Sequence, residues 1–233
     1  ANVEICFYSI NIDFSIKDKI RLGKSDWLFY VNYFGVCLNI QKDILSKYDP
    51  KKVVFDHSQA FFQPPLNCLA TLYSPRKFFG VPDGGFLITK LPITEPDILD
   101  EDSLARCSHL LKRLAGEPED GYADYQYAEA SLKDFTPKRM SLFTERLLAS
   151  INYQEIKIKR EENFMLFQDN LGNKNLIEFS AEKHAGPMAY PYLMHDYVSK
   201  DRLLEERVFI PTYWSEVLER CSEMSSEWNL VKG

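Results

Sequence analysis

Apolar residues fall in short dense runs in the first part of the chain and in helical spacing after it. Segments 3–10 (VEICFYSI), 27–35 (WLFYVNYFG), 52–56 (KVVFD), 68–74 (CLATLYS) and 85–89 (GFLIT) are rich in β-branched and aromatic residues. Each is bounded by polar or turn residues, and each predicts a strand. Segment 16–26 reads as a polar connection. Between the second and third strands, Leu38, Ile40, Ile44, Leu45 and Tyr48 recur at roughly helical spacing until Pro50 ends the pattern. Strand, helix, strand with near-continuous apolar strands predicts an α/β fold, a mostly parallel sheet covered by helices on both faces. The connection from 74 to 85 is too short for a helical crossover, so the last two strands are predicted to be antiparallel.

After segment 91–97 the pattern becomes helical. Residues 97–115 predict a helix closed by Gly116, and a second helical stretch runs through 133. Segment 136–172 predicts one or two long helices, with Thr136 at the cap and Pro137 at the first helical position. Segments 176–180, 189–196 and 208–214, with a short helix at 200–207, predict a small α+β module. The domain division expected is therefore 1–135 for a large domain and 136–233 for the linking helices and a small domain.

Composition narrows the function classes. The 233 residues are 45% hydrophobic, which permits a full core, and the formal net charge is −6. That balance argues against nucleic acid or an anionic membrane as the main partner. The basic run KIKR (157–160) is flanked by acids and reads as a solvated face. Five cysteines at no metal-ligand spacing predict a reducing, cytoplasmic setting. No apolar run has the length of a membrane helix, and no signal peptide is evident. His109, His184 and His195 form no metal set with acids or cysteines. Neither a Gly-x-Ser-x-Gly elbow nor a Gly-x-Gly-x-x-Gly turn occurs.

The chemistry concentrates in VVFDHSQAFFQPPLNCLATLYSPRKFFGVPDGGFLIT (53–89). Asp56 ends one strand, and Ser74 and Lys77 lie just past another. In open α/β sheets the carboxyl ends of strands form the ligand crevice. On spacing alone the plainer reading is favoured: a surface salt bridge, with the lysine a solvated surface group. The flanking Tyr73, Phe78 and Phe79 change that, because an apolar fence desolvates an amine and makes it a better nucleophile. His57, next to Asp56 on an extended chain, points to the opposite side and reads as a packed histidine.

The D-x-x-Q-A stretch from Asp56, the S-x-x-K stretch from Ser74 and the following DGG resemble the DegT/DnrJ/StrS sugar aminotransferases, pyridoxal-phosphate (PLP) enzymes of fold type I. VEICFYSINIDFSI, FYVNYFG, the Arg160-to-Leu166 stretch REENFML, GPMAYPYLMHD and ERVFIPTYW are similar to flanking parts of that family, although Ser9 stands where an acid is usual. The resemblance implies that Lys77 forms the internal aldimine and shuttles the proton, while Asp56 pairs with the pyridine nitrogen. It implies that Gln59 lies by the cofactor ring and its phenolic oxygen, and that Ser74 contacts the phosphate. Asn32 and Tyr33, on a loop bordering the site, are candidates for substrate contact, with loop packing as the plainer reading. The implied reaction transfers an amino group from a donor such as glutamate to a nucleotide-linked keto-sugar, in a homodimer. A PLP enzyme with a non-sugar substrate and a non-catalytic scaffold of the same fold are the competing readings. Family members carry a phosphate cradle and a stacking aromatic ahead of position 3, and a further segment after the last residues here. The resemblance thus implies a middle fragment with little transaminase activity of its own.

Overall fold

The computed structural model describes residues 3–133, 136–179, 184–194 and 200–232, the side chains of 118 and 200 excepted. They form two compact units: Trp27–Glu161 with His184–Met188, and Ala1–Asp26 with Glu162–Lys183 and Ala189–Gly233. The seams fall at 26/27 and 161/162, whereas the sequence pattern places a boundary at 135/136.

The first unit is α/β. Its sheet has strands β1 (Leu28–Val31), β2 (Val53–His57), β3 (Ala70–Tyr73) and β4 (Phe86–Thr89), neighbours in that order. β1, β2 and β3 are parallel, and β4 is antiparallel to β3 with Phe86 opposite Tyr73. The short, turn-rich connection before β4 forces that reversal, as expected. Helix α1 (Leu38–Lys47) is the crossover that brings β2 back alongside β1. It ends where Tyr48 turns extended, and the Asp49 carboxylate then accepts from the Lys51 amide in the turn opened by Pro50.

Burial alternates along these strands instead of covering both faces. Leu28, Tyr30, Val53, Phe55 and His57 are buried on the face that meets α1. Each large apolar side chain there contributes about 1.5–3 kcal/mol. Val54 and Asp56, on the other face, are half-buried, and Phe29 is exposed. Sheet coverage on both faces, expected from the apolar runs, is thus met on one face only.

After β4 come α2 (Ser103–Arg106), α3 (Ser108–Ala115), α4 (Tyr122–Ser131), α5 (Leu142–Ala149) and α6 (Tyr153–Leu171). The helix expected from 97 begins only at Ser103, because Leu99 is held in a parallel bridge with Arg139. Arg139, the other member of that bridge, lies in a non-helical stretch, 136–140. The helix start expected at Thr136 is therefore displaced to Ser141, whose hydroxyl accepts from the Thr144 amide. Arg106 is buried and donates to both carboxylate oxygens of Asp100, at 2.9 and 2.7 Å, and to the Ser131 hydroxyl.

In the second unit the described helices after α6 are α7 (Lys200–Glu205), α8 (Val217–Arg220) and α9 (Ser226–Lys232). Among the described residues it holds no strand ladder. The strand expected at 3–10 is absent: Val3, Ile5 and Phe7 are exposed, and only an isolated bridge joins Ile10 to Ile16. Segment 208–214 likewise joins no ladder, and Val208, Phe209 and Ile210 are exposed. The segments 176–180 and 189–196 lie partly outside the described residues, and within them the Leu176 amide donates to the Leu193 carbonyl without extending into a ladder. High strand propensity yields a strand only where a neighbouring strand accepts it.

Candidate functional site

The three parallel strands deliver their carboxyl ends to one edge of the sheet. Val31, Asp56 and Leu72 are aligned across β1, β2 and β3. Asp56 therefore sits one residue from the end of its strand, on the half-open face. Its Oδ1 accepts from the Ser58 amide at 2.7 Å, a local turn that fixes the carboxylate and leaves Oδ2 unengaged by protein among the described residues.

Lys77 ends a tight turn, Pro75–Lys77, directly after β3. Ser74 caps it with extended backbone angles, and Pro75 presets the first position. The Pro75 carbonyl accepts from the amides of both Phe78 and Phe79, at 3.0 and 2.9 Å. Those two phenylalanines are buried with Val81 and Leu148, packed by Phe61, Phe62 and Tyr153. The Arg160 guanidinium lies 4.7 Å from the Phe78 ring centre and donates to the Met188 carbonyl at 3.0 Å. Burial holds this guanidinium below its ordinary pKa range. The turn is thus anchored on its C-terminal side by aromatic packing, while the Lys77 side chain stays on the exposed side. Phe78 and Phe79 point into the core; their part in fencing the lysine is to hold its backbone.

Lys77 is exposed as a residue, and the protein packed around its amine removes part of its hydration, which lowers its pKa. The Asp56 charge works in the opposite sense, with Arg76 lowering and Glu129 raising as smaller influences. Among the described residues, Asp56 and Lys77 form no direct ion pair, so acid and amine face the same edge without neutralising each other by contact.

Gln59 follows β2 by two residues. It is fully buried, its Oε1 accepts from the Phe34 amide at 2.9 Å, and its Nε2 has no partner among the described residues. A buried, unpaired amide donor is costly, roughly 1–3 kcal/mol, and points to a group that would accept from it. The loop that grips Gln59 needs glycine at 35: φ is +80°, and a Cβ there would come within 3.0 Å of the Gln59 carbonyl. Ser74 is half-buried, and its hydroxyl makes no capping bond.

The other sequence candidates behave differently. Asn32 is fully buried, and its amide is consumed inside the fold: Nδ2 donates to Gln41 Oε1 at 2.8 Å and Oδ1 accepts from the Cys37 amide at 3.0 Å. It holds the loop and presents nothing to a substrate. Tyr33 packs edge-to-face on Tyr30, with ring centres 5.8 Å apart. Loop packing, the plainer reading, describes both. His57 is packed as expected, with Nε2 against the Gln41 amide at 2.8 Å and its ring stacked on Phe55. Burial pushes its pKa down to about 4, so it is neutral at physiological pH.

Three features escaped sequence reasoning. Asp83 of the DGG motif is a buried hub: it accepts from the hydroxyls of Ser103, Ser141 and Thr144 and from the Ser141 amide. Gln41 sits on the buried side of α1, where a polar residue at an apolar position was the available signal. Arg76 pairs with Glu129 of α4, and no local pattern links two positions so far apart. Among the described residues, no group of histidines, cysteines and acids could hold a metal ion, and no helix is long and apolar enough to cross a membrane. No protein-family model matches the chain, and no curated protein or solved structure matches it.

Proposed function

We propose that this chain is the PLP-binding part of an aminotransferase of the DegT/DnrJ/StrS type, fold type I, acting on a nucleotide-linked keto-sugar. The observation that carries the reading is at the carboxyl ends of β2 and β3: a lysine whose pKa is lowered follows β3, an acid with one oxygen unengaged among the described residues lies at the end of β2, and a buried amide donor without a partner among the described residues follows it. These residues fit the cofactor. Asp56 would keep a proton on a pyridine nitrogen. Gln59 Nε2 would donate to a phenolic oxygen. The Ser74 hydroxyl is available to a phosphate. When bound, the cofactor supplies an electron sink beside the substrate nitrogen.

The chain's own part is then proton handling and positioning. A lowered pKa leaves more of the Lys77 amine unprotonated near neutrality, able to attack a carbonyl carbon and later to carry a proton to or from a substrate carbon. The rigid turn between β3 and the aromatic cluster keeps that amine at the sheet edge. The sugar component rests on the resemblance of segment 53–89.

The test is to mix the protein with pyridoxal phosphate, reduce with borohydride and map the modified peptide. The expected product is a pyridoxyl group on Lys77, lost in Lys77→Ala. Label spread over surface lysines with Lys77 untouched would overturn the reading.

A further inference from the structure

Lys77 shares its turn with a second cation. Arg76 precedes it within Pro75–Lys77, and the Arg76 guanidinium is held by the Glu129 carboxylate of α4. The pair bridges 53 positions of sequence and ties the helical segment after β4 to the candidate site. Three charges from three elements act on the Lys77 amine: Asp56 from β2, Arg76 from the turn itself and Glu129 from α4. His109 of α3 faces the Arg76–Glu129 pair in turn, packed edge-on against Tyr125. The side chains of Arg76 and Glu129 are 30% and 43% exposed, so their fields are partly screened.

We propose that the Arg76–Glu129 ion pair shields Lys77 from its neighbouring guanidinium, with Glu129 as a positioning residue that neutralises Arg76 and keeps it turned toward α4. An unpaired guanidinium beside the amine would favour the neutral amine. An unpaired Glu129 carboxylate would favour the ammonium. With both present the two fields oppose each other, and Asp56 and desolvation are left to set the balance. A ligand carboxylate or phosphate that drew Arg76 away from Glu129 would then change the protonation of Lys77 on binding. The proposal deepens the functional reading above and rests on Lys77 being the reactive amine.

The measurement is the pH profile of Lys77 acetylation by acetic anhydride, read by mass spectrometry with Lys47 of α1 as internal reference. In Glu129→Gln the midpoint is expected to fall by about half a pH unit, roughly a threefold faster reaction below the midpoint. In Arg76→Gln it is expected to rise by a similar amount. Glu129→Asp keeps the charge and is expected to stay near the wild-type midpoint. An unchanged or raised midpoint in Glu129→Gln, or an equal shift in Glu129→Asp, would overturn the proposal. Acetylation needs no cofactor. A failure of pyridoxal phosphate to label Lys77 and a failure of these shifts are therefore separate results.

Discussion

Asp56 and Asp83 are acids of one segment with opposite fates. Asp83 is 3% exposed and its carboxylate is saturated by three hydroxyls and a backbone amide. Those donors come from α2 and from the start of α5, so Asp83 joins β4's approach to two helices. Asp56 is half-buried and takes one local bond, from the Ser58 amide, among the described residues. A carboxylate whose lone pairs are filled by protein is a joint. One left partly unfilled at a strand end is available to a ligand. Both stand next to turn residues in sequence, and only the donors around them separate the two roles.

The comparison breaks most sharply at Asp83. Asp83→Ala leaves the buried hydroxyls of Ser103, Ser141 and Thr144 without their acceptor and removes support from the α5 cap. The expected loss is roughly 3–5 kcal/mol of stability, measured by urea unfolding. Retention of wild-type stability would show that water replaces the carboxylate.

A smaller effect is expected at the histidine behind Asp56. His57 ordinarily titrates near 6.5 and is held at about 4 by burial in the folded chain. Between those values the unfolded chain binds the proton and the folded chain does not. Stability therefore falls as pH drops from about 6.5 to about 4, by about 3 kcal/mol. Unfolding curves at a series of pH values check this, and His57→Gln should flatten the slope in that window. An unchanged slope in the variant would assign the acid sensitivity to other groups.

The smallest stability effect is expected at Asp56 itself. Asp56→Asn keeps an acceptor for the Ser58 amide and should change stability by less than about 1 kcal/mol. Under the proposed function it should still lower pyridoxyl incorporation at Lys77, because the ring-nitrogen partner is lost. A large stability loss would move Asp56 into the class of Asp83.

Much of the sheet was legible in the chain. Dense apolar runs bounded by turn residues located β1 to β4, and the short connection before β4 gave its direction. The same signal failed at 3–10 and 208–214, where apolar residues find no strand to pair with among the described residues. Asp56 and Lys77 were legible because strand ends are readable locally. The fate of Asn32 was not, since its amide is claimed by Gln41 and by the Cys37 backbone once α1 packs against the sheet. The cap of α5 lies at Ser141 instead of Thr136, because Arg139 between them is bridged to Leu99 and the stretch before Ser141 is not helical.

The amino-acid sequence by itself determined the local elements and the placing of an acid and a lysine at the tips of neighbouring strands. Those follow from periodicity, proline and glycine, which act over a few residues. Tertiary structure decided which polar atoms are satisfied. It saturated Asp83, consumed Asn32, left Gln59 Nε2 without a partner among the described residues and paired Arg76 with Glu129. Hydrogen bonding and desolvation depend on atoms brought together from distant positions, and no local pattern records them.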